Sequence, residues 1–152
     1  MKKLLLAVGV TCLVAINAPA AQAQVSFGAQ ASFADDTDFG VGARANIGLP
    51  FSGFKAIASF DYFFPDGFDY FELNGNAVYS IRTTTPGFGP YVGGGLNIAH
   101  SSVDAIDFSD TEMGLNLLGG AEFGTGPIKP FAELRIELRD EGQFVLAGGV
   151  NF

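Results

Sequence analysis

Cysteine is almost missing from this 152-residue chain: the single one, Cys12, lies in an apolar run near the start. The domain that follows has no thiol nucleophile and cannot be held by disulfides, so a small exported fold needs another source of stability. Basic residues are few, eight against 16 acidic ones, which removes nucleic acid as a partner because little is available to neutralise phosphates. Tryptophan is absent, histidine occurs once, and no metal cluster or phosphate-binding loop is visible, so no cofactor is expected. A sustained 3.6-residue apolar period is also lacking after Gln24, which argues against helices.

What is present begins with a leader. Lys2 and Lys3 precede an apolar stretch from Leu4 to Ile16, and small residues from Ala18 to Ala23 follow. That layout is a cleavable secretory signal, too short for a spanning helix of roughly 20 residues. Cleavage is expected after Ala23, with Ala20 the second choice. This leaves residues 24–152 as one domain. A lipidated Cys12 is disfavoured by Thr11 before it. Loss of Lys2 and Lys3 leaves 16 acidic residues against six basic ones, a net charge of −10. Mean hydropathy is nonetheless +0.30, and Gly (21) and Phe (16) are abundant. Such a composition suits many short strands.

Alternation carries the rest of the chain. Val25, Phe27, Ala29, Ala31 and Phe33 share one face against Ser26, Gly28, Gln30 and Ser32. Val41, Ala43, Ala45 and Ile47 oppose Arg44 and Asn46. Ala132, Leu134, Ile136 and Leu138 oppose Glu133, Arg135, Glu137 and Arg139. Eight such segments of about ten residues follow one another, the length that crosses a bilayer at a tilt. Their links alternate in kind. Leu49 to Phe54, Thr83 to Gly89 and Thr125 to Lys129 are Gly/Pro turns nearly free of acid. The other four hold Asp35, Asp36 and Asp38; Asp66 and Asp69; Asp104, Asp107, Asp110 and Glu112; and Asp140 and Glu141. In an up-and-down barrel alternate links share an end, so one rim is acidic and the other, with the termini, is plain.

Period alone does not say which face is inside, and a soluble barrel would turn its apolar face inward. Three features favour the reverse: Gly and paired charges crowd the polar face, aromatics gather near strand ends (Phe33, Phe39, Tyr62, Tyr70, Phe71, Tyr79, Phe123, Phe152), and the last strand ends on an aromatic. The leader, the eight strands, Pro90-Tyr91-Val92-Gly93-Gly94-Gly95-Leu96, Pro130-Phe131-Ala132-Glu133 and the final Gly148-Gly149-Val150-Asn151-Phe152 resemble the small outer-membrane β-barrel family, which includes opacity-type and OmpA-, OmpX- and OmpW-like proteins. The resemblance spans residues 24–152 as a pattern. It implies an all-β, eight-stranded antiparallel up-and-down transmembrane barrel, in the bacterial outer membrane, surrounded by its lipid and expected as a monomer. It also implies that Phe144, Leu146, Gly148, Val150 and Phe152 form the signal presented to the barrel-assembly machinery.

The polar face is expected to place Arg44, Lys55, Asp61, Glu72, Arg82, Glu122, Glu133, Arg135, Glu137 and Arg139 in the lumen, five acids against five bases. Such a set is a salt-bridged plug or, alternatively, a narrow ion path; Ile57, Phe63, Val78 and Leu118 add inward apolar surface. Asp104, Asp107 and Asp110 offer oxygen ligands for divalent cations, without a regular calcium-loop spacing. His100 and Ser102, with Glu112 across the loop, are similar to the catalytic arrangement of outer-membrane lipid A deacylases, in which the base activates serine toward an ester. The leading expectation is a non-enzymatic envelope protein presenting short acidic surface loops. The alternatives are a channel for small or hydrophobic solutes and a lipid-modifying enzyme.

Overall fold

A computed structural model describes residues 24–35, 38–65, 69–103, 108–139 and 142–152. The expected leader and Asp36, Asp66, Asp104, Asp107, Asp140 and Glu141 lie outside the described residues.

Each alternating segment is a strand: β1 (Val25–Ala34), β2 (Asp38–Gly48), β3 (Phe54–Phe63), β4 (Asp69–Ser80), β5 (Phe88–Val103), β6 (Phe108–Phe123), β7 (Lys129–Leu138) and β8 (Gln143–Asn151). Neighbours pair antiparallel, and β8 returns to β1 to close the barrel, so no sheet edge is left along the wall. Cross-strand partners run from Val25 through Ile47, Ala56, Ala77, Gly94, Leu117, Ile136 and Phe144. The path re-enters β1 where the Asp35 N–H donates to the Phe144 carbonyl, ten residues beyond its start. With strands about 4.8 Å apart and a rise of about 3.3 Å per residue, that stagger tilts them by about 40°. Nine to twelve residues then cross an apolar band about 25 Å tall. β5 and β6, at 16 residues each, stand about 15 Å beyond it.

The inverted arrangement holds. Leu115 and Leu146 are 55% and 59% exposed, whereas Asp61, Glu72 and Glu137 are completely buried. A continuous apolar exterior of this extent has no soluble explanation and is matched by lipid. Aromatic girdles mark both ends of the band. Phe39, Tyr62 and Phe64 cluster at the loop end, with Phe60 against Phe71. Phe54–Tyr79 and Phe88–Phe123 lie at the end carrying the termini. Tyr70, expected in a girdle, is instead buried in the lumen, because its register opposite Phe63 gives it inward parity.

Two of the plain turns are tied to each other. Gly124 has φ of 92°, a left-handed conformation that glycine adopts without strain, and its N–H donates to the Gly87 carbonyl at 2.7 Å. Inside the wall, a Cβ at Gly95 would lie 2.0 Å from the Gly75 carbonyl oxygen, so a side chain there is excluded. At the loop end, Asp110 and Glu112 belong to β6 rather than to a loop, since the β5–β6 ladder continues to Val103↔Phe108.

Candidate functional site

The lumen is filled in layers, because inward residues of eight strands at similar heights meet across a narrow bore. At the terminal end, Lys55 Nζ lies 2.8 Å from Glu122 Oε1 and over the Tyr91 ring. Next, Ile57, Val78, Tyr91 and Leu118 form a buried apolar layer. Beside it Arg44 Nη2 donates to Glu133 Oε2 at 3.1 Å, its guanidinium stacked over Phe131 at 4.0 Å. The Tyr91 hydroxyl donates to the same carboxylate oxygen at 2.8 Å. Above this, Asn116 Nδ2 donates to Asn74 and Asn76.

The charged centre lies toward the loop end. Arg135 Nε donates to Glu137 Oε1 at 2.7 Å, while its other nitrogens lie 3.5 Å from Glu72, 3.8 Å from Asp61 and 3.9 Å from Glu133. One buried guanidinium thus faces four carboxylates. Gln30 and Ser32 donate to Asp61, and Asn97 donates to Glu137. Arg139 Nη2 bridges Glu72 and Glu137 at 3.0 and 2.7 Å and donates to Gln143, while its Nη1 donates to Tyr70. A second apolar layer of Ala34, Phe63, Tyr70, Ala99 and Val145 packs at this level. Charges so placed need this density of partners, since an unpaired buried ion costs several kcal/mol.

Nine of the ten expected lumen charges are brought inside. Arg82 is the exception. It follows the end of β4, is exposed, and donates to Ser52 at 3.4 Å. The alternation that the sequence carries through Arg82 stops at Ser80, because the chain there enters the β4–β5 turn. Lys129 was missed by the same logic in reverse: it opens β7 and lines the terminal mouth. Phe131, Tyr91, Gln30 and the asparagines complete the packing. Their inward parity was legible once strand starts were known.

The other candidates are dispersed. His100 Nδ1 lies 2.8 Å from Thr111 Oγ1, and its ring packs on Phe71, 5.1 Å between centroids. Ser102 pairs with Asp69 and Ser109. Glu112 is opposite Ala99 on the inward parity, 3.9 Å from Arg139, so the strand wall separates it from His100. Among the described residues no three His, Cys, Asp or Glu side chains are grouped to hold a metal. Asp110 is exposed on β6.

No protein-family model and no curated protein sequence matches the chain. Solved structures do. The N-terminal β-barrel domain of Pseudomonas aeruginosa OprF superposes with a TM-score of 0.68 at 18% identity, covering 86% of this chain and 98% of that one. Neisserial surface protein A gives 0.62 at 19%, over 84% and 94%. The outer membrane enzyme PagL gives 0.50 at 12%, over 85% and 99%. The chain has the fold of the small outer-membrane barrels.

With that fold the chain keeps its final strand in the expected orientation. Phe144, Leu146, Gly148 and Val150 share the outward parity of β8, with the exposed Phe152 directly after it.

Proposed function

We propose that this outer-membrane barrel is a non-enzymatic, non-conducting envelope protein, held by lipid contacts, that presents an acidic rim and the long β5–β6 hairpin at the cell surface. The lumen carries this reading. Two apolar layers and the Arg135 cluster occupy the bore, and ion-paired side chains of this density favour a plug over a continuous aqueous path. Asp35, Asp69, Asp110 and Glu112 lie at the opposite end from the termini, with further acids in the connecting loops. In this reading divalent cations bridge the rim to anionic surface lipid, the monomer is sufficient, and the outward row of β8 is read by the barrel-assembly machinery.

Planar-bilayer recording of the barrel purified from outer membranes is the test. A flat current at 100 mV is expected; reproducible unitary steps would establish the channel reading instead. His100 and Ser102 then serve the hairpin alone, His100 by capping Thr111 and covering Phe71. Mass spectrometry of host lipid A is expected to show the same acylation with Ser102→Ala as with the unaltered chain. A changed acyl pattern would restore the enzymatic reading.

A further inference from the structure

The terminal mouth differs from the rest of the lumen in holding open space. A cavity of about 510 Å³ lies there, within the range of small-ligand sites. Ser26, Asn46, Lys55, Glu122, Lys129 and Asn151 line it, and the Lys55 ammonium lies over the ring of Tyr91, a member of the buried apolar layer. By the topology this end carries the termini and short turns, so it opens to the periplasm.

A chain of hydrogen bonds fixes the polarity of the wall. Lys55 Nζ and Asn151 Nδ2 both donate to Glu122 Oε1, at 2.8 and 3.0 Å. That orients the Asn151 amide, whose Oδ1 accepts from Asn46 Nδ2 at 3.0 Å; the same Nδ2 donates to Ser26 Oγ at 3.3 Å. Asn46 is therefore pinned with both amide hydrogens used. Its Oδ1 is buried and has no partner among the described residues. Both bonds to Glu122 fall on Oε1, which leaves Oε2 for a donor from the cavity. On β7, directly across the ladder from Asn151, Lys129 is exposed and makes no ion pair among the described residues. The mouth thus offers carboxylate and amide acceptors with a lysine ammonium on the strand between β6 and β8, two lysines against one glutamate.

We propose that this periplasmic vestibule binds small zwitterions, the class of amino acids and short peptides, with the ligand ammonium at Glu122 and Asn46 and its carboxylate at Lys129. A simple anion would engage the lysine and leave the acceptors unmet; a simple cation would do the reverse. The site is separate from the ion-paired lumen above it, so it stands or falls separately from the non-conducting reading.

The probe is triglycine, titrated into isotope-labelled barrel purified in detergent, with the side-chain amides of Asn46 and Asn151 as reporters. Saturable shifts of both are expected. Blocking either the amine or the carboxylate of the peptide is expected to weaken binding about tenfold, the loss of one charged contact. Lys129→Gln should weaken triglycine by a similar factor while leaving the affinity for triglycine amide unchanged, because that peptide has no carboxylate to lose. Retained heat-dependent mobility on a denaturing gel verifies that the variant is folded. Absence of a saturable shift, equal binding of the doubly blocked peptide, or an identical response to inorganic phosphate alone would each overturn the proposal.

Discussion

The two ends of the lumen solve the same problem differently. Toward the loops, Arg135 and Arg139 are each almost wholly buried and share Glu72 and Glu137 between them. At the mouth, a single pair joins Lys55 and Glu122, with side chains 15% and 24% exposed. Depth in the bore accounts for the contrast. Water reaches the mouth and screens its charges, so one partner is enough there. The inner cluster has no such screening, and each ion is held by several neighbours. Electrostatic dependence should therefore fall steadily from the centre of the barrel to its terminal rim.

The steepest test of that gradient is Arg135→Met. It keeps apolar volume but leaves Asp61, Glu72, Glu133 and Glu137 without their common counter-ion. A loss of about 3–5 kcal/mol is expected, read from urea unfolding in lipid vesicles. A near-neutral result would show that the acids rearrange onto Arg139 and Arg44, and the layered contrast would collapse. Lys55→Gln comes next. Its pair is partly solvated, and a change of no more than about 1 kcal/mol is expected in the same measurement. A larger loss would mean that the mouth is as tightly coupled as the centre. Arg82→Gln sets the zero of the scale: its unfolding midpoint should coincide with that of the unaltered chain, as Arg82 lies on a turn with only Ser52 beside it.

The charged content of the lumen, though not its gradient, is legible in the sequence. Nine of ten lumen charges followed from period-two parity, since strand pleating sends alternate side chains to opposite faces without exception inside a strand. The failures sit where strands end. Arg82 obeys the parity of β4 on paper, but β4 stops at Ser80. Lys129 reads as turn in the sequence and is the first residue of β7. Asp110 and Glu112 looked like loop acids because charge and glycine mark loops, yet β6 continues through them. The candidate residues His100, Ser102 and Glu112 are not brought together, for a related reason. Closeness in sequence brought the three together, but the register sets His100 outward and Glu112 inward.

The sequence by itself determined the strand count, the alternation of plain turns with acidic links, and the inversion of inside and outside. Each of these follows from local chemistry: side-chain parity, turn residues, and where aromatics and glycines fall. Only the tertiary structure decided who meets whom across the bore. Arg44 and Glu133 are 89 residues apart, and the partners of Arg135 come from β3, β4 and its own strand. Those meetings depend on the ten-residue stagger of the closed barrel, which sets the relative height of every inward side chain. Stagger is a property of all eight registers together, and no single segment of the chain contains it.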